Sequence, residues 1–359
     1  MAIKNQIYSI QLLRAIAVSL VVYAHSIDLA QYLQLNNFQA SYKYLQNFGA
    51  IGVDIFFIIS GFIMLYVTTQ IDSFAKIKIF FTKRLIRLFA LYIPITVLLI
   101  FYKHPDSTII FKSLLLLPIF DSGNHFIMPS INVAWSLSYE LFFYILFTIS
   151  LIISKKYHNL ITIIILLVLV LLGLLIHSDE VHFVFITNPI LVEFVLGILI
   201  GIIYTSKIKI HLAIILLMLM TAIIKIIMLI NNGYANISEA NFVLDGSGSL
   251  LRVYLWGIPS FLLVTSILFL SQYQYTLSAF EFAFVKKTYM LIGDASYSIY
   301  LIHTLFFSAI IYFHEFFSKI QNGDLLIFIF LFSAIIAGCL VYIFIENPLL
   351  NFCKKKLLN

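Results

Sequence analysis

The chain has 359 residues, of which 62% are hydrophobic and 11% charged, with a formal net charge of +6. A soluble globule would carry about a quarter charged residues. This composition therefore excludes a soluble domain, and the basic excess reads as membrane topology rather than as a nucleic-acid surface. Apolar runs long enough to cross a bilayer recur along the whole chain, where a transmembrane barrel would show short alternating segments. The fold class is all-α, a polytopic membrane protein. Cys339 sits in the last apolar run and Cys353 in the basic tail, so neither a disulfide nor a metal framework is expected. The N-terminal apolar run is too long for a cleavable signal and contains an arginine.

About ten spans are predicted, roughly 8–27, 48–69, 85–102, 132–153, 159–177, 188–205, 210–230, 252–271, 290–313 and 325–346. The segment Ile109–Phe120 is too short to cross, and reads as a helix on or dipping into the outer face. With the N-terminus inside, fifteen lysines and arginines fall in cytoplasmic segments and four in outer loops. Both termini are then cytoplasmic. Residues 1–359 read as a single integral membrane domain without a fused soluble domain, and with no tandem or inverted repeat.

The first span, YSIQLLRAIAVSLVVYAHSI (Tyr8–Ile27), holds Arg14 and His25. Both are expensive in hydrocarbon, so the pair is a functional-site candidate. Their separation of eleven residues is about three turns, or ~16 Å, on nearly one face. The second span enters through FGAIGVDIFFIISGF, and places Asp54 at a depth similar to His25. A carboxylate there could orient the ring, or could merely neutralise a cation. Glu140 in NVAWSLSYELFFYILF and Glu193 in NPILVEFVLGILIG complete an outer polar tier with His25 and Asp54. Each could also be a hydrogen-bonded packing residue.

The inner tier is basic. KIKIFFTKRLIRLFALYIP carries Arg84 and Arg87 at i, i+3, one helical face. Arginine suits bidentate phosphate binding, although such clusters also serve as anchors that snorkel to lipid headgroups. In LIGDASYSIYLIHTLFF, Tyr297, Tyr300 and His303 run down one side of a helix. A lone intramembrane histidine is more often a packing residue than a catalyst. Glu346 lies in YIFIENPLL at a cytoplasmic end. No P-loop, dinucleotide fingerprint, GxSxG elbow or HExxH motif is present, and Ser60, Ser136 and Ser138 lack a nucleophile context.

Taken together, these segments resemble the acyltransferase-3 family of membrane-bound acyltransferases. The resemblance rests on Arg14 and His25, GVDIFFIISGF (Gly52–Phe62), KRLIRLFALYIP (Lys83–Pro94), WSLSYELFFY (Trp135–Tyr144), GDASYSIYLIH (Gly293–His303) and IENPL (Ile345–Leu349). It is closest to the compact bacterial exopolysaccharide and O-antigen O-acetyltransferase branch. The resemblance implies a multi-pass protein of the bacterial cytoplasmic (inner) membrane. It implies acyl-CoA, usually acetyl-CoA, as donor and an extracytoplasmic carbohydrate hydroxyl as acceptor, with membrane lipid around it and no metal. His25 would be the catalytic histidine, Asp54 and Glu140 supporting polar residues, and Arg14, Arg84 and Arg87 donor-binding positions. Direct general-base transfer and an acyl-histidine intermediate both remain open. A transporter or flippase of lipid-linked sugars is the rival reading, since polar residues at membrane depth mark substrate pathways there too.

Overall fold

The computed structural model describes residues 7–35, 48–103, 106–120, 126–127, 131–176, 178, 180–232, 246, 248–273, 283–317, 319–320 and 322–358. Among these, nine helices are long and apolar enough to cross a membrane, and a bent helix pair makes a tenth. The helices are α1 (Tyr8–Tyr32), α2 (Ile51–Thr68), α3 (Phe74–Lys103), α4 (Ser107–Leu114), α5 (Trp135–Ile153), α6 (His158–Leu175), α7 (Val181–Thr187), α8 (Leu191–Thr205) and α9 (Leu212–Asn232). They continue as α10 (Ser249–Arg252), α11 (Ile258–Leu270), α12 (Ala283–Asp294), α13 (Ser296–Tyr312), α14 (His314–Phe317), α15 (Gly323–Val341) and α16 (Asn347–Leu358).

Several boundaries differ from the hydropathy reading. The third helix begins at Phe74, eleven residues before the predicted span, because the basic segment continues the helix that its apolar half starts. The expected helix over Ile109–Phe120 is shorter. It ends at Leu114, Leu116 turns with φ +55°, and Ile119–Phe120 pairs antiparallel with Phe126–Ile127. The predicted span 290–313 is broken at Ala295, where α12 and α13 bend by 69°.

Two π turns have a common cause. Val253–Gly257 precedes Pro259 and Tyr342–Glu346 precedes Pro348, each proline two residues beyond the turn. A proline offers no N–H to the carbonyl four residues back and its ring crowds that carbonyl. Widening the preceding turn relieves both, and the helix continues.

The chain forms two compact units. The first comprises residues 1–59, 206–234 and 256–342, and the second residues 60–205, 235–255 and 343–359. In the first, α1 packs against α12, α13 and α15, and α9 packs against α11. Glycines let these backbones touch, as is common for membrane helices. A Cβ on Gly49 would meet Ala24, one on Gly52 would collide with the Ala17 carbonyl oxygen, one on Gly293 with that of Gln11, and one on Gly338 with Ile299. In the second unit, α5 packs against α3 and α6, α6 against α8, and α3 against α16. Gly61 lies on the backbone of Phe194, and Gly201 on Leu65.

Candidate active site

The first unit holds a pair of histidines that the sequence separates by most of the chain. His25 lies in the C-terminal half of α1, three residues before Asp28. At that spacing the two side chains share a helical face, and His25 Nδ1 lies 3.2 Å from Asp28 Oδ2. A carboxylate accepts, so Nδ1 carries the proton and Nε2 presents a lone pair. Both side chains are about 40% exposed, His25 at 38% and Asp28 at 41%, so packing does not enclose the ring.

His303, from α13, stacks on His25 with ring centroids 5.1 Å apart and planes at 26°. Its ring is in turn edge-on to Tyr300 at 5.8 Å, and Tyr300 is edge-on to Phe56 of α2 at 6.2 Å. The run Tyr297, Tyr300, His303 therefore does form one side of α13, with Tyr300 and His303 buried and Tyr297 half-buried. A histidine read as a packing residue is thus a direct neighbour of the catalytic candidate. Sequence could not show this, because the contact depends on the crossing of α1 and α13.

Arg14 lies on the same helix, three turns from His25. Its guanidinium donates to Ser296 Oγ at 2.8 Å. Ser296 is the first residue of α13, directly after the break at Ala295. The guanidinium and the positive end of the α13 dipole therefore lie together, which favours an anion at that level.

Asp54 is fully buried in the first turn of α2. The expectation that it lies at the depth of His25 is corrected by the glycine contacts. Gly49 meets Leu20 and Ala24, and Gly52 meets Ala17 and Val21, so α2 runs antiparallel to α1. Continuing that register sets Asp54 level with about Ala17, roughly two turns from His25 and within about one turn of Arg14. The carboxylate on the His25 ring is Asp28, which sequence reading passed over although its i+3 spacing was a usable signal.

The other candidates belong to the second unit, so His25, Asp54, Glu140 and Glu193 do not make a single tier within one unit. Glu140 on α5 accepts from Ser60 Oγ at 2.8 Å and from the Tyr144 hydroxyl one turn along its own helix. Arg84 and Arg87 belong to α3, the helix that packs against α5. Glu140 thus shares an environment with the arginines rather than standing apart from them as an acidic layer. Ser60 finds its role here as a donor to a carboxylate. Glu193 is fully buried in the first turn of α8.

Arg87 is ion-paired with Glu346, whose side chain is 1% exposed against 29% for the arginine. Glu346 is the last residue of the second π turn, so the turn forced by Pro348 sets which way this carboxylate faces. Arg84 lies over the Phe80 ring, 5.6 Å from its centroid. That contact is a cation–π interaction with the aromatic ring. Arg252, 1% exposed at the end of α10, is a buried cation that the sequence reading did not single out. No group of three His, Cys, Asp or Glu side chains among the described residues is placed to hold a metal ion.

A profile of the acyltransferase-3 family, described as an acyltransferase domain, matches residues 7–344. The exopolysaccharide production protein ExoZ of Rhizobium meliloti (strain 1021) is 26% identical over 321 residues, which cover 84% of this chain and 90% of that protein. No solved structure matches the chain significantly.

Proposed function

The chain belongs to the acyltransferase-3 family, and on that premise we propose that it moves an acyl group, acetyl in the simplest case, from cytoplasmic acyl-CoA to a hydroxyl of a surface polysaccharide or its lipid-linked precursor. The likeness to an exopolysaccharide production protein supports a polysaccharide acceptor. The orientation follows from the lysines and arginines, which gather on one side of the spans.

The observation that carries the reaction is the hydrogen bond from His25 Nδ1 to Asp28. It leaves Nε2 as the base. His25 Nε2 takes the proton of the acceptor hydroxyl as its oxygen attacks the thioester carbonyl. The carbon–sulfur bond breaks, and the leaving thiolate takes the proton back from the imidazolium. The products are the sugar ester and coenzyme A. Asp28 stabilises the imidazolium between these steps. General-base catalysis of this kind is typically worth about 10²–10⁴-fold.

Arg84 and Arg87 bind the donor's phosphates, Arg87 exchanging Glu346 for a phosphate oxygen. Arg14, beside the positive end of α13, contacts the anionic donor about three turns from His25, away from the reacting carbonyl. Asp54 and Glu140 are supporting polar residues, Glu140 through its bonds to Ser60 and Tyr144. The reaction is placed in the bacterial inner membrane, where acyl-CoA is available on one side and the growing polymer on the other.

The test is to incubate membranes with labelled acetyl-CoA, with and without the gene, and to measure label in extractable polysaccharide. Gene-dependent label that His25→Ala abolishes is the expected result. No label, with altered export of the polymer, would favour transport of lipid-linked sugars and overturn the proposal.

A further inference from the structure

His303 carries an acceptor that its packing leaves unused. The residue is 1% exposed. Its Nδ1 lies 3.2 Å from the Ile299 carbonyl oxygen, one turn back on α13. A carbonyl can only accept, so Nδ1 holds the proton and Nε2 is a lone pair. That Nε2 is buried and has no hydrogen-bond partner among the described residues. A buried acceptor without a donor is costly and uncommon in native structures. Phenylalanine would fill the same slot without the cost.

The same ring is stacked on His25 at 5.1 Å. Both imidazoles are in the Nδ1–H form, so two adjacent rings each offer an Nε2 acceptor. The first is half-exposed and meets the reacting hydroxyl. The second has no donor among the described residues, and a carbohydrate supplies hydroxyls on neighbouring carbons. Its donor need not carry charge, since nothing in the stack is an anion awaiting a cation.

We infer that His303 is a binding residue for the acceptor: its Nε2 accepts a hydrogen bond from the hydroxyl next to the one that His25 deprotonates, so the enzyme selects a vicinal diol of the carbohydrate. The inference rests on the acyl-transfer reading above. His303 is then satisfied only in the acceptor complex, and contributes to acceptor affinity and orientation rather than to donor binding.

The experiment uses purified full-length protein in detergent, labelled acetyl-CoA, and unacylated polysaccharide extracted from a strain lacking the gene. His303→Phe keeps the ring and removes the acceptor nitrogen. It is expected to keep or raise the melting temperature and to keep the KM for acetyl-CoA. The KM for the polysaccharide should rise about tenfold, the loss of one neutral hydrogen bond. His303→Gln, whose Oε1 can stand where Nε2 stood, should recover part of that loss. A wild-type acceptor KM in His303→Phe overturns the inference. So does a parallel rise in both KM values with a lower melting temperature, which would make His303 a packing residue. If His303→Phe does not fold, His303→Gln decides alone: an acceptor KM equal to that of His303→Ala overturns the inference, and a lower one supports it. Absence of label transfer by the wild-type protein is a separate outcome. It rejects the acyl-transfer reading itself, and this inference with it.

Discussion

Glu346 is the buried partner of Arg87, and the π turn that ends at Glu346 aims its carboxylate at the guanidinium. The two sides of this pair are unequal, because Glu346 is 1% exposed and Arg87 29%. Removing the arginine takes away the cation that is ion-paired with a buried carboxylate. Removing the acid leaves a cation that water can still reach. Arg87→Ala should therefore destabilise the protein by about 3 kcal/mol or more, and Glu346→Gln by only about 1 kcal/mol. Thermal unfolding of both variants in one detergent measures the difference. The double variant should cost less than the sum, since the partners are coupled. Equal losses would contradict the burial asymmetry.

Asp28 is expected to act on turnover and not on donor binding. Asp28→Asn removes the charge opposite His25 Nδ1 while keeping the size of the side chain. Because the pair is about 40% exposed on both sides, solvent screens it. The loss in kcat should be about threefold to tenfold rather than the loss of a buried triad member. The KM for acetyl-CoA should not move. Kinetics in proteoliposomes with labelled donor would show it, and a change in donor KM without a change in kcat would exclude the role.

Gly52 is a site where a single methyl should be costly. Its Cβ would collide with the carbonyl oxygen of Ala17, a backbone atom that cannot rotate away. Gly52→Ala must separate α1 from α2, at a cost of about 3 kcal/mol. At Gly201 the nearest atoms belong to the Leu65 side chain, the first of them 3.1 Å away. There alanine gains helix propensity and the neighbour can shift, so Gly201→Ala should stay within about 1 kcal/mol of wild type. Melting temperatures of the two variants test the contrast.

Ser296 should matter less than Arg14. Ser296→Ala removes one hydrogen bond to the guanidinium, worth about 1 kcal/mol, and leaves the cation at the start of α13. Arg14→Ala removes the cation as well. The expected order in donor KM is wild type, then Ser296→Ala within about fivefold, then Arg14→Ala well above both. Steady-state kinetics on the three proteins would settle the order. A Ser296→Ala variant as impaired as Arg14→Ala would mean that the hydroxyl, not the charge, does the work.

Much of the fold could be read from the sequence. Nine of the spans follow from hydropathy alone, since a continuous apolar run of such length has few alternatives to a spanning helix. The exceptions are local. The bend at Ala295 and the two π turns depend on how a backbone relieves a close contact or a proline, and hydropathy is blind to both. The basic start of α3 lies outside the span that hydropathy predicts because its charges lower the window average, although lysine and arginine are good helix formers.

The site was legible as residue types and only partly as partners. Arg14, His25, Arg84, Arg87 and Glu346 stand out in sequence because charge is costly in an apolar chain. Pairings on one helix are encoded in spacing, which is how His25 meets Asp28 and Glu140 meets Tyr144. Pairings between helices are not. Asp54 was assigned to His25 on an assumed depth, and the register of α1 against α2 is set instead by where Gly49 and Gly52 let the backbones touch. The same holds for His303 on His25 and Glu346 on Arg87. Composition and spacing determine that this chain spans a membrane and which residues are available for chemistry. Helix crossing and axial register, fixed by small residues and broken turns far from the reacting groups, decide which of them meet.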